Sequence, residues 1–267
     1  MSSITDRERL TQILSIAGQK IMGFWQHQTF RITTKSDQSL VTDADFASEK
    51  AILAEISTHY PSDLVLAEES GLLGDSHGDI PEGSYVWIID PLDGTTNFAN
   101  HYPFFCVSIA RARKTLGFLD VVLGGVFDPV RNKMYTAEKG GGATVNGRTM
   151  RIRPERDFGE SFLVTGFAYH KDQDLRSDIE TFTDISMRCQ SIRRDGAAAL
   201  DLAMVAEGIY DGYWEKGLQP WDVAAGSLLV SEAGGLVRNY GSEAFDVNQR
   251  SIICGNAVTV QRLCEYL

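Results

Sequence analysis

From Thr5 to Gln28 apolar residues return every three to four positions, with Leu10, Ile13, Leu14, Ala17, Ile21, Phe24 and Trp25 on one stripe. That spacing predicts a helix with one buried face, lying against the core or a dimer surface. Thr42 stands where it can cap a second helix, which runs to about Tyr60 and is stopped by Pro61. The period then changes. Leu64 to Ala67 and Tyr85 to Ile89 are short apolar runs, the second rich in aromatic and β-branched residues, as expected of strands covered on both faces. Phe105 to Ala112, Leu119 to Phe127 and Lys133 to Ala137 alternate with turn residues and predict an antiparallel meander. After about Gly147, helical stretches near 174–187, 197–207 and 222–234 alternate with short strands. The change divides the chain into an N-terminal α+β half, residues 1–146, and a C-terminal α/β half, residues 147–267, packed as one compact unit. No repeat, low-complexity tract or long linker separates the halves.

Composition narrows the classes. With 43% hydrophobic and 23% charged residues the chain is globular rather than disordered. No apolar run approaches the roughly 20 residues of a membrane span, and the first ten residues lack a signal-peptide layout, so a cytoplasmic protein is expected. A formal charge of −11 disfavours a nucleic-acid partner, whose phosphates need clustered Lys and Arg. Cys106, Cys189, Cys254 and Cys264 show no paired spacing, which predicts free thiols rather than a disulfide or zinc site. His27, His59, His77, His101 and His170 have no metal-binding spacing and receive no role. Lys139-Gly140-Gly141-Gly142 lacks the ending of a nucleotide-binding loop and reads as a turn or bulge.

The candidate chemistry lies past Ile89, in Asp90-Pro91-Leu92-Asp93-Gly94-Thr95-Thr96. An aspartate before Pro or Gly often does no more than form a turn. Two of them three residues apart, driven off a buried strand into a tight turn, repel each other unless a cation stands between them. Ligands that are all oxygen point to magnesium or manganese. Gly94 permits close backbone approach, and a helix starting at Thr95 would aim free N–H groups at a phosphate. Glu68 and Glu69 follow the Leu64–Ala67 run, so Glu68, Asp90 and Asp93 are expected to meet outside the carboxyl ends of adjacent strands. For Glu69 a solvated carboxylate and a metal contact stay open. Asp222 precedes a helical stretch; spacing alone does not bring it to the others, and an N-cap is its plain alternative.

LAEES at 66–70, WIIDPLDGTTNF at 87–98 and WDVAAGSLLVSEAGG at 221–235 resemble, in order and spacing, the three signature segments of the inositol monophosphatase family. The likeness runs from Leu40 to about Gly235 and most resembles the bacterial inositol-1-monophosphatase branch. It implies a layered αβαβα sandwich with the site in the cleft between the halves. It implies that Glu68, Asp90 and the Leu92 carbonyl hold one metal and Asp90, Asp93 and Asp222 a second, with two or three Mg2+ or Mn2+ ions bound. Gly94 and Thr95 would contact phosphate, Asp45 would work with Thr95 to orient the attacking water beside Glu68, and Arg193, Gly196, Ala197, Ala198 and Glu215 would meet the rest of the substrate. The implied reaction is hydrolysis of a phosphate monoester, inositol 1-phosphate first. Fructose bisphosphate, histidinol phosphate and phosphoadenosine phosphate are substrates of proteins with the same segments. Thr96-Asn97, where nucleotide phosphatases tend to carry Lys-Glu, favours the inositol branch. The resemblance also implies a homodimer and sensitivity to lithium. A regulatory or scaffold protein built on the same shell is the alternative from another class, opposed by the full set of carboxylates. Two departures stand out: Ala67 replaces a glycine of many relatives, and Ala197 replaces a serine or threonine of some, losing a side-chain hydroxyl.

Overall fold

Thr5 and Thr42 each begin a helix by the same chemistry. Each threonine side chain accepts a hydrogen bond from the first turn, and the acid three residues on, Glu8 or Asp45, accepts from the threonine N–H in return, which satisfies N–H groups that a helix start leaves unpaired. The helices are α1 (Asp6–His27) and α2 (Asp43–His59), as the periodicity predicts. The computed structural model describes residues 4–35, 39–74, 79–167 and 173–267; His77 and His170 lie outside them.

Strands β1 (Ile32–Thr34) and β2 (Leu40–Thr42) pair with each other. Strands β3 (Leu64–Ala67), β4 (Gly71–Leu73), β5 (Tyr85–Asp93), β6 (Cys106–Thr115), β7 (Phe118–Asp128), β8 (Lys133–Glu138), β9 (Gly142–Val145) and β10 (Arg148–Thr149) make one sheet in the order β10-β9-β8-β7-β6-β5-β3-β4. β3 and β5 run parallel, and the meander β5 to β10 is antiparallel. The short helix α3 (Thr95–Ala99) links β5 to β6. A second sheet, in the order β12-β11-β13-β15-β14, holds β11 (Phe162–Thr165), β12 (Ser191–Arg193), β13 (Gly212–Lys216), β14 (Leu236–Arg238) and β15 (Ser251–Gly255). The helices α4 (Gln173–Ser186), α5 (Ala198–Ala206), α6 (Pro220–Glu232) and α7 (Ala257–Leu263) complete the chain.

The layers follow from the period of two along a strand. On β5, Trp87 and Ile89 pack with Leu10, Ile13 and Leu14 of α1 and Ile52 and Ile56 of α2. Val86 and Ile88 face the other way, into a core shared with Leu202 and Ala203 of α5 and Leu228 and Leu229 of α6. Tyr213, Ile252 and Cys254 of the second sheet enter that same core. On its outer face, Leu163, Trp214 and Ile253 meet Ile185 of α4 and Val260 and Leu263 of α7. The result is helix, sheet, helix, sheet, helix, the layered α/β sandwich expected. Among the described residues no helix is long and apolar enough to cross a membrane.

One local expectation is corrected. The sequence suggests that the strand stops at Ile89, whereas β5 continues to Asp93. Against β6, Asp90 pairs with Ser108 and Asp93 with Cys106, so three steps on β5 match two on β6. That extra residue is a bulge, placed where Pro91 has no N–H to give the ladder.

Candidate active site

The bulge decides the chemistry of the strand end. Residues three apart on a regular strand face opposite ways; the inserted residue puts Asp90 and Asp93 on one face. They line a cleft of about 70 Å³ together with Ser39, Leu40, Glu68, Leu92, Gly94, Thr95, Thr96 and Asp222. Glu68 arrives from the end of β3, which is parallel to β5, and Asp222 from the first turn of α6, so both halves of the chain contribute. Asp222 is the third residue of that helix, where its Oδ2 accepts the Gln219 N–H at 2.7 Å. It therefore completes a capping box from inside the helix rather than serving as the N-cap.

Each acid is held by a donor. Asp90 Oδ1 accepts the Leu92 N–H at 3.0 Å. Asp93 Oδ2 accepts the Ala199 N–H at 2.7 Å, from the first turn of α5, with the Cys106 thiol 3.6 Å away. Burial pushes the Asp90 and Asp222 carboxyls well above the usual carboxylate range, and the neighbouring charges of Glu68 and Asp93 add to this. Burial raises Asp93 to about 6, against the lowering effect of its Ala199 and Cys106 hydrogen bonds. Lys35 pairs with Glu68 at 2.8 Å and Glu69 at 2.6 Å, and burial still carries Glu69 up to about 7. A set of hard oxygen donors whose buried negative charge is this costly fits a divalent cation. Among the described residues no three His, Cys, Asp or Glu side chains already close around a single point as a cation-holding cluster.

Thr95 is the first residue of α3, next to Gly94. Gly94 has φ +88°, and a Cβ there would stand 3.0 Å from the Phe104 carbonyl oxygen and 3.1 Å from Ala197 Cβ, so both the angle and the space call for glycine. The Thr95 hydroxyl lies 3.1 Å from Asp45 Oδ1 and 2.9 Å from the Leu92 carbonyl, either of which can accept its hydrogen bond. Asp45 is fully buried and also accepts the Thr42 N–H and hydroxyl, so the capping box of α2 aims it at Thr95. Burial raises Asp45 to about 6 despite those bonds.

The remaining named positions lie outside the cleft lining. Ala197 is buried beside Gly94, Gly196 adjoins the Asn97 amide, and Ala198 starts α5. Arg193 is exposed, with its guanidinium 4.8 Å from the Phe162 ring centroid and 2.7 Å from Ser191 Oγ. Glu215 accepts the Tyr213 hydroxyl, and burial raises it to about 7. Ala67 is not among the residues with positive φ, so its backbone angle does not call for glycine.

Four contributors escape sequence reading. Asn97 Nδ2 donates to the Phe104 and Asp195 carbonyls, both at 2.8 Å, and so ties α3 to the loop that leads into α5; its place after Gly-Thr-Thr is the only hint. Lys35 reaches Glu68 from the connection between β1 and β2, and Cys106 reaches Asp93 from the neighbouring strand, neither of which any spacing encodes. Asp201 sits fully buried in α5 with Oδ1 unpartnered among the described residues.

A model of the inositol monophosphatase family matches residues 6–267, and the chain belongs to that family of phosphatases. It is 42% identical over 218 residues to Nus factor SuhB of Pasteurella multocida, covering 82% of this chain and 78% of that protein. It is 40% identical over 236 residues to the chloroplast phosphatase IMPL1 of Arabidopsis thaliana, covering 88% of this chain but only 62% of that longer protein. The structure of an inositol monophosphatase from Anabaena (Nostoc) superposes with a TM-score of 0.82 at 36% identity, covering 97% of this chain and 94% of the other. Family, fold and enzyme class thus agree with the expectation from the three sequence segments.

Proposed function

We propose that this chain hydrolyses a small phosphorylated polyol or sugar, inositol 1-phosphate first among them, with magnesium or manganese held by Glu68, Asp90, Asp93, Asp222 and the Leu92 carbonyl. The observation that favours it most is the convergence of these acids from both halves on one cleft beside the Thr95–Asp45 pair. Bound divalent ions would supply Lewis-acid polarisation of the phosphoryl group and a water of lowered pKa. The protein's own groups do the rest. With its hydrogen bond donated to Asp45 or to the Leu92 carbonyl, the Thr95 hydroxyl turns a lone pair toward the cleft and accepts a hydrogen bond from the attacking water, fixing the direction of attack. Gly94 lets the backbone approach a phosphoryl oxygen closely. Thr95→Ala is expected to lower kcat by about a hundredfold with little change in KM, and Thr95→Ser to restore most of it; equal losses in both variants would remove Thr95 from the reaction.

Arg193, Gly196, Ala197, Ala198 and Glu215 are read as the side of the site that meets the rest of the substrate, the last as an acceptor for its hydroxyls. The family likeness supports a homodimer, lithium sensitivity, a cytoplasmic setting and the division near residue 147 as parts of the same reading. The relative called a Nus factor favours a second one, a regulatory or scaffold protein that keeps the phosphatase shell and acts by binding a partner, any hydrolysis being secondary. Phosphate release from inositol 1-phosphate, fructose 1,6-bisphosphate, histidinol phosphate and 3′-phosphoadenosine 5′-phosphate, with Mg2+ and with EDTA, separates these outcomes. EDTA-sensitive preference for inositol 1-phosphate is expected. Preference for another ester moves the substrate, and no turnover of any leaves the scaffold reading.

A further inference from the structure

Glu215 stands near the C-terminal end of β13, paired with Ile252 of β15 on one side and facing a glycine that follows β11 on the other. β11 and β13 run parallel with Thr165 beside Trp214, and the Thr165 hydroxyl donates to the Trp214 carbonyl at 2.6 Å. One step further along both chains, Gly166 lies beside Glu215. A Cβ placed on Gly166 would fall within the Glu215 carboxylate, overlapping both of its oxygens and its carbon. The carboxylate therefore occupies the space that any other residue would fill with its own side chain. Tyr213, buried and two residues back on the same strand, holds the group by donating its hydroxyl to Oε2, the oxygen that lies nearest Gly166. Among the described residues no hydrogen bond is made to Oε1.

We propose that Gly166 sets the position of the Glu215 carboxylate and is thereby a specificity-positioning residue, presenting one carboxylate oxygen to a hydroxyl of a polyol phosphate. The inference rests on the polyol reading of the substrate given above. The notch is selective in its consequences. What a new Cβ meets is the far end of a flexible side chain, not backbone, so alanine at 166 is accommodated by swinging the carboxylate away while the fold stays intact. A hydroxyl that met Glu215 then loses its acceptor, whereas Gly94 and Thr95, which would meet the phosphate end of the substrate, are unchanged.

Steady-state kinetics with Mg2+ on the wild type, Gly166→Ala, Glu215→Ala and the double variant test this, comparing KM for inositol 1-phosphate with Ki for inorganic phosphate, which reports the phosphate subsite alone. Gly166→Ala is expected to raise the ratio of KM to Ki by about tenfold, the size of one lost hydrogen bond to a charged group, and to add nothing further in the Glu215→Ala background. A raised ratio in Glu215→Ala with a wild-type ratio in Gly166→Ala overturns the role of Gly166 and leaves the substrate reading standing. An unchanged ratio in Glu215→Ala, or no turnover of inositol 1-phosphate by the wild type, overturns that reading and the inference with it. Equal rises of KM and Ki in Gly166→Ala make the glycine merely structural and also overturn the proposal.

Discussion

Asp93→Asn is expected to lower turnover by at least about a thousandfold while the protein stays folded. The substitution keeps the shape of the side chain. Its carbonyl oxygen can still accept the Ala199 N–H that anchors the first turn of α5 to β5, so that link survives. What is lost is a negative charge in a cleft shared with Glu68, Asp90 and Asp222, and with it most of the attraction for a divalent cation. Because that charge is buried, its removal also relieves Asp90, on which the Asp93 charge acts directly. The variant is therefore expected to be at least as heat-stable as the wild type in EDTA and to gain much less stability from Mg2+. Phosphate release and thermal melting on the same sample check both halves of the expectation. Retention of more than about a tenth of the activity would remove Asp93 from the metal-binding set.

Much of this site is legible in the amino-acid sequence. Asp90, Asp93 and Glu68 announced themselves because each follows an apolar run, and strand ends in an α/β sheet are where such residues gather. Their geometry was less legible. The run Tyr85 to Ile89 shows a strand but not that pairing with β6 resumes at Asp93, since a bulge is a property of two strands and only one is visible at a time. Asp222 could be joined to the others through family resemblance alone: 128 residues of chain lie between it and Asp93, and what brings it there is the seating of α6 on the first sheet. Asn97, Lys35 and Gly166 were opaque for a related reason. Each acts on a partner that lies in a different element, and no periodicity encodes a contact of that kind. The cap at Thr42, by contrast, is a local pattern and appears where the sequence puts it, whereas the capping box at Thr5 is seen only in the structure.

Without metal, the protein is expected to lose stability as pH rises through the neutral range, the opposite of what ordinary salt-bridged carboxylates produce. Burial raises Asp45 and Asp93 to about 6 and Glu69 to about 7, and Asp90 and Asp222 well above the usual range. In the unfolded chain the same groups titrate near 4. Between these limits the folded state binds more protons than the unfolded state, and stability falls with pH wherever that holds. The stabilising contribution is complete below the unfolded values and is lost as pH climbs through the folded ones. In EDTA the melting temperature at about pH 8 is thus expected to lie below that at about pH 5.5, by on the order of 5 °C. A cation bound among the acids favours their ionised forms, so Mg2+ should raise the melting temperature more at pH 8 than at pH 5.5, where binding must first displace protons. Asp93→Asn removes one of the shifted groups and should flatten the slope measured in EDTA. A metal-free melting temperature that rises steadily from pH 5.5 to 8 would mean that these carboxylates are compensated in the fold by other charges, and the electrostatic case for a cation between Asp90 and Asp93 would fall with it.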